Sequence, residues 1–260
     1  MDAPALTRAG VLEVWQTGSA APAAFPKHSH DEMVISANLS GGESLWLDGR
    51  TYEAGPGDVT LYMPGAVQAS RSLGDQPWQF VTLYAPPDWL EQVTQNQVQV
   101  RRAVAPAPQS LAFFRTLAGL RHPGRVEETA LLLLESLGDL LEFGPRRGLA
   151  SPPRAPLSAI IDRLCAFDLP VPTLGELAEL AGLSPTGLVR AFRRTHGLPP
   201  LAWALDRRLI EARRRLRGAE SLAAIALDLG FADQAHFTRA FRKVSGLTPG
   251  AYRKRASTVC

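Results

Sequence analysis

Between residues 11 and 84 the apolar positions come in short runs broken by Gly, Pro and Asp. "MVISANLSGG", "ESLWLDGRTYEAGPGDVTLYMPG" and "WQFVTLY" predict strands joined as hairpins, packed as a sandwich or small barrel. Asp48-Gly49 marks a tight hairpin turn, and Pro56 in "GPGD" marks another and excludes a central strand there. After Pro86-Pro87 the rhythm lengthens. "LAFFRTLAGL" and "EETALLLLESLGDLLEF" space their apolar residues as helices, with acidic residues near the start of the second. That second helix is expected to bury Leu131, Leu134 and Leu137 on one stripe. It either completes the core or pairs with a second copy, so Leu131–Leu141 is the candidate dimer helix.

A Pro-, Gly- and Arg-rich stretch follows, "GPRRGLASPPRAP". It reads as a linker. The predicted organisation is a domain over 1–143, a linker over 144–156 and a second domain over 157–260. Beyond the linker the chain repeats itself. "TLGELAELAGLSPTGLVRAFRRTHGLPP" and "SLAAIALDLGFADQAHFTRAFRKVSGLTPG" each hold a short helix, a glycine turn at Gly182 or Gly230, a second helix and a Gly/Pro exit. Leu188 with Phe192, and Phe237 with Phe241, are anchors spaced i,i+4. Each copy fits helix-turn-helix geometry, with Ser184 and Asp233 as the caps of the second helices and Pro185 at a first helical position. "LAWALDRRLIEARRRLRG" between them is long enough for a helical spacer of about 25 Å. Held on one face, two such helices can enter successive major grooves.

Charge divides the same way. Residues 1–156 hold 12 Lys/Arg against 16 Asp/Glu, and residues 157–260 hold 16 against 9, giving −4 and +7. A basic second half suits a polyanion partner. The first twenty residues contain acidic groups and no apolar run, and "ALLLLESLGDLLEF" is too short and charged to span a bilayer. No membrane partner is expected. Cys165 and Cys260 build no disulfide framework, which fits a reducing cytoplasm.

The run from Gly230 and Phe231 through Asp233, His236, Phe237, Arg239, Phe241, Gly246, Pro249 and Tyr252 to Arg253 resembles the DNA-binding domain of the AraC/XylS family. The weaker copy stands upstream at the spacing of that family. The resemblance implies two helix-turn-helix motifs joined by a long helix, binding double-stranded promoter DNA. Trp203 takes a position where the family usually has Tyr. Gly187 leaves one position of the upstream reading helix without a side chain. His28 to Ser70, with "GPGD" and "MPGAVQ", resembles the cupin-like regulatory domain of the same family. The implied fold is two-domain: an N-terminal all-β cupin-like barrel with added helices and a C-terminal all-α double helix-turn-helix. The implied function is a transcription regulator under a small-molecule effector, with RNA polymerase as a further partner. A cupin enzyme fused to a DNA-binding module and a ligand-independent regulator are the alternatives.

The candidate residues follow. In the downstream helix Gln234, His236 and Arg239 are assigned to the groove, with a phosphate contact or packing against the preceding helix as the alternatives for His236, and Arg242 and Lys243 on phosphates. In the upstream helix Thr186 and Arg190 are assigned to bases, with Arg193 and Arg194 nearer the backbone. An internal salt bridge is the alternative for Arg190 and Arg239. In the front domain His28, His30 and Glu32 alternate, and an extended strand would put them on one face with Gln68 closing the set. Three readings of that face stay open: an effector pocket, a partly exposed strand start, or two imidazoles and a carboxylate around a metal. Metal-binding cupins carry a further Glu and a third His, where this chain has Val34-Ile35 and Gln68. No metal or cofactor is assigned. Trp46 and Tyr84 are candidate cavity walls, and His122 is given no role. No nucleophile elbow is present, and the chain is not expected to be an enzyme.

Overall fold

Short β-prone runs separated by turns can satisfy their backbones only by pairing with one another. In the computed structural model, which describes residues 5–9, 11–19, 23–120, 123–144, 157–167 and 172–256, they do so as antiparallel ladders. His122, Cys260 and the linker residues 145–156 lie outside the described residues. The chain divides into two compact units, one of residues 1–147 and 254–260 and one of residues 148–253.

The first unit runs β1 (Ala5–Ala9), β2 (Leu12–Ser19), β3 (Ala24–His28), β4 (Met33–Ser40), β5 (Gly42–Leu47), β6 (Arg50–Ala54), β7 (Asp58–Tyr62), β8 (Gln68–Leu73) and β9 (Trp78–Ala85). After these come α1 (Pro87–Thr94), β10 (Gln97–Val100), β11 (Val104–Pro106), α2 (Leu111–Gly119), α3 (Pro123–Ser136) and β12 (Leu141–Gly144). One sheet has the order β1-β2-β9-β4-β7-β11, a second β3-β8-β5-β6, and β10 pairs with β12. Asp48 and Gly49, at φ 44° and 94°, turn β5 into β6 as the Asp-Gly pair predicts. The Asp48 carboxylate also accepts the Val67 N–H at 3.0 Å. Between β4 and β5, Gly41 has φ +64°, and a Cβ there would lie 2.8 Å from the Pro77 carbonyl oxygen. Only glycine fits that turn.

The larger sheet is buried on both sides, and its two sides differ in chemistry. Met33, Ile35, Val59, Leu61, Val81 and Leu83 face one way and pack on Phe114, Leu117, Val126 and Leu133 of the helices in one apolar cluster. The opposite side faces the smaller sheet. There Val34 pairs with Tyr62 and Tyr84, and Ser36 pairs with Thr60 and Thr82.

Three expectations need correction here. The Leu131–Leu141 stretch is not one helix: α3 ends at Ser136, a 3-10 turn covers Gly138–Leu140, and Leu141 begins β12. Glycine at 138 is a weak helix former, and β10 supplies ladder partners for the residues beyond it. Leu131 is 40% exposed, whereas Leu134 and Leu137 are buried with Val126, Ala130 and Leu133. The β region also exceeds 11–84, since β1 precedes it and β10 to β12 follow.

The second unit is helical: α4 (Ser158–Cys165), α5 (Leu174–Leu180), α6 (Pro185–His196), α7 (Pro200–Arg215), α8 (Leu222–Asp228), α9 (Gln234–Ser245) and α10 (Pro249–Ala256). Helix starts are fixed by side-chain caps. Thr173 and Glu176 form a reciprocal capping box on α5, and Ser184, Ser221 and Asp233 cap α6, α8 and α9. Leu177, Leu188 and Phe192 share a core with Ile160, Leu164 and Ala204. Ile225, Phe231, Phe237, Phe241 and Tyr252 are buried in the second copy. Trp203 packs edge-on against Phe192 at 5.7 Å, and Tyr252 does the same against Phe241 at 5.4 Å. Each repeat therefore closes on one aromatic contributed by the helix that follows it.

Candidate nucleic-acid interface and enclosed barrel face

Helices α6 and α9 are both 12 residues long, and each ends at a left-handed glycine, Gly197 at φ 72° and Gly246 at φ 73°. Their anchors turn inward: Leu188, Phe192 and Phe237 are fully buried and Phe241 is 1% exposed. That rotation leaves Thr186, Arg190, Arg193 and Arg194 exposed on α6, and Gln234, His236, Arg239, Arg242 and Lys243 exposed on α9. Arg190 and Arg239 make no ion pair among the described residues, so each guanidinium stands ready for an outside acceptor. His236 is held differently. The Ala232 N–H donates to its Nδ1 at 3.4 Å and its ring stands edge-on to Phe231 at 5.4 Å, which leaves Nε2 as the donor. At Gly187 the backbone N–H donates to the Ser184 cap, and a Cβ would lie 3.1 Å from that hydroxyl oxygen. Glycine thus keeps the cap open and gives the groove nothing to touch. The spacer α7 has 16 residues, about 24 Å of helix. Arg215 at its end donates to Glu220 and, at 2.7 Å, to Asp228 of α8, tying spacer to repeat.

In the first unit the segment after His28 is not an extended strand. β3 stops at His28, and residues 29–32 bend into β4, because His28 is the last residue that can pair, opposite Gln68. His28 and His30 are both buried, at 4% and 5% exposure, while Glu32 is half-buried in the bend. The His28 Nε2 meets the Gln68 amide nitrogen at 2.6 Å, the His28 and His30 rings are 4.9 Å apart, and His30 lies 5.0 Å from Tyr84. His28, His30, Gln68 and Tyr84 thus form one enclosed wall. Trp46 does not join it. Its ring lies on the outside of the smaller sheet under the Lys27 ammonium, in a groove of about 330 Å³ shared with Thr51 and Arg71. Strand parity decides this, since Leu45 and Leu47 take the inward positions of β5.

Glu43 takes the third inward position of β5 and was not anticipated. It is 5% exposed and lies among the Asn38 amide and the Ser70 and Thr60 hydroxyls. Burial raises its carboxyl from 4.5 to about 7, against the lowering effect of those hydrogen bonds. Asn38 is itself fixed, accepting the Trp78 indole N–H at 2.7 Å and donating to the Ala54 carbonyl at 3.2 Å. Burial also pushes the Tyr62 phenol well up, and the neighbouring Tyr84 and Glu43 add to the effect. A signal for Glu43 was present in the sequence: it alternates with Leu45 and Leu47, which places a carboxyl on an inward face. Among the described residues no group of His, Cys, Asp or Glu is placed to hold a metal ion, so the facial-triad reading of His28, His30 and Glu32 is not assembled. No described helix is long and apolar enough to cross a membrane.

Two family models match the chain, an AraC-like ligand binding domain over residues 16–137 and a helix-turn-helix domain over residues 177–255. The chain belongs to the AraC/XylS family of transcription regulators. Among AraC/XylS relatives it is 26% identical over 236 residues to the arabinose operon regulatory protein of Escherichia coli, covering 85% of this chain and 80% of that protein. It is 31% identical over 130 residues to the virulence regulon transcriptional activator VirF of Yersinia enterocolitica, covering 50% of this chain and 47% of that one. In fold it resembles wild-type ToxT of Vibrio cholerae, solved with an unsaturated fatty acid bound, at a TM-score of 0.58 and 11% identity over 96% of both chains. The AraC/XylS assignment fits what each unit displays: exposed cations on paired helices in one, and an enclosed polar sheet face in the other.

Proposed function

We propose that this regulator binds promoter DNA through α6 and α9 and is controlled by a small molecule held between the two sheets of its first unit. One observation carries the effector half of this reading. The larger sheet spends one face on apolar packing against helices, yet keeps Ser36, Asn38, Thr60 and Thr82 buried on the other. These groups bond one another and the backbone, Ser36 with Thr82 at 2.8 Å and Asn38 with the Ala54 carbonyl at 3.2 Å, so the face is a hydrogen-bonding surface of the kind a polar effector would need. His28, His30, Glu32 and Gln68 are the effector residues of this reading. On DNA, Arg190, Arg239, Thr186 and Gln234 meet bases, while Arg193, Arg194, Arg242, Lys243 and the His236 Nε2 meet phosphates.

The domains of this reading are 1–143 and 157–260, with 144–156 as the tether. The protein acts in the cytoplasm, where its DNA and RNA polymerase are, and performs no catalysis. It works as a homodimer through the exposed Leu131 and Leu132 of α3. The test pairs a thermal-shift screen of small metabolites with fluorescence anisotropy on a promoter duplex. A stabilising compound is expected to change DNA affinity, because allostery requires unequal affinity for two states. His28→Ala and Gln68→Ala should both weaken the response. A compound that stabilises the protein and leaves DNA binding and transcription unchanged would reduce the first unit to a binding domain that senses nothing.

A further inference from the structure

Granting that α6 and α9 bind DNA, on which this inference rests, we propose that the operator carries one short element twice. The element is a thymine and a guanine within about two base pairs of each other, and its copies lie about one helical turn apart. The two protein repeats share one register. Ser184, Leu188, Phe192 and Gly197 of the first stand at a constant offset from Asp233, Phe237, Phe241 and Gly246 of the second, so cap, anchors and exit glycine all coincide. The aromatics that close the repeats, Trp203 and Tyr252, keep the same offset. No insertion shifts either copy, and the two helices compare position by position.

The face each helix offers follows from its anchors, because a residue two places from a buried one lies on the opposite side of the helix. Arg190 lies two places after Leu188 and two before Phe192, and Arg239 lies likewise between Phe237 and Phe241; both arginines are exposed. One turn earlier on the same side stand Thr186 and Ala235, exposed as well. Arg193 and Arg194 of α6 then coincide with Arg242 and Lys243 of α9. The outward faces are therefore matched: a methyl-bearing residue in the first turn, an arginine, then two cations. The group that Thr186 and Ala235 have in common is a methyl, and the base that carries a methyl in the major groove is thymine. The planar fork of arginine fits guanine N7 and O6, and neither Arg190 nor Arg239 is held by an ion pair among the described residues. Four residues of helix rise about 6 Å, or about two base-pair steps. Where the copies differ, α9 offers more. Gln234 and His236 stand where α6 has Pro185 and Gly187, whose side chains carry no donor. Any further fixed base belongs to the half under α9.

Selection of duplexes from a randomised pool by the full chain, followed by fluorescence anisotropy on the enriched duplex, tests this. The enriched sequences should hold the thymine and guanine together in two blocks about one turn apart. Uracil in place of thymine removes only the methyl and should weaken binding about fourfold in either block. Thr186→Ser keeps the hydroxyl and loses the methyl, so it should abolish the uracil effect in one block and leave it in the other. Ala235→Gly should do the reverse. Arg190→Ala and Arg239→Ala should each release one guanine and cost about tenfold on the enriched duplex. Glycine weakens a helix, so thermal unfolding reports whether Ala235→Gly folds; should it not, Thr186→Ser and the two arginine variants decide. Unlike blocks, a block without the pair, or a uracil effect undiminished in Thr186→Ser overturns the repeated element and leaves a DNA-binding protein standing. A pool without enrichment overturns it too. If binding is then also absent at low salt, the DNA reading itself falls.

Discussion

Single side chains set the two properties most open to measurement, a pH response and a base preference. Glu43 holds its proton up to about pH 7 in the folded protein, against 4.5 when exposed. Its contribution to stability is complete below about pH 4.5 and is lost as pH rises to about 7, roughly 3 kcal/mol at about 1.4 kcal/mol per pKa unit. Glu43→Gln should flatten that part of the stability–pH curve. Thermal unfolding at pH 5 and pH 8 checks it, and an equal fall in both proteins would place the loss elsewhere. Arg239 stands exposed between the anchors Phe237 and Phe241. Arg239→Ala should cost roughly 1–3 kcal/mol on the preferred operator and much less on random duplex. Equal losses on both would make it a phosphate contact.

At the scale of elements, the two reading helices differ in how they start. Asp233 accepts the His236 N–H at 2.6 Å, whereas Ser184 serves the Gly187 N–H at 3.1 Å. The aspartate also places a negative charge at the positive end of its helix. Asp233→Ala should cost about 1 kcal/mol, read from chemical denaturation of the helical unit, and should weaken DNA binding by loosening the first turn of α9. Helix α3 shows where periodicity misleads. Its stripe of leucines continues past Ser136, but Gly138 and the pairing of β12 with β10 end the helix early. Leu131 and Leu132, 40% and 45% exposed, then lie outside the core. If they form the dimer contact, Leu131→Glu with Leu132→Glu should give monomers by analytical ultracentrifugation while leaving the fold intact. A dimer unaffected by both charges would put the contact on another surface.

For the whole molecule, the residues 157–260 should fold and bind DNA by themselves, since each repeat has its own apolar core and its own caps. Anisotropy at increasing salt should show steep weakening, as counterions released from contacted phosphates dominate the free energy. An unfolded fragment, or affinity independent of salt, would count against an autonomous domain. What the sequence determined by itself was local and repetitive. The paired helices, their caps at Ser184 and Asp233, the glycine turns and the Asp48-Gly49 hairpin all depend on residues within a few positions of one another, so spacing and turn chemistry were enough to read them. What only the tertiary structure decided was facing and pairing across the chain. It sent Trp46 outward, ended β3 at His28, left Leu131 exposed, and brought Glu43, Asn38, Thr60 and Ser70 from four strands into one enclosed space. Inward and outward positions of a strand differ by one residue, and the side that is buried is fixed by the register of neighbours far away in sequence.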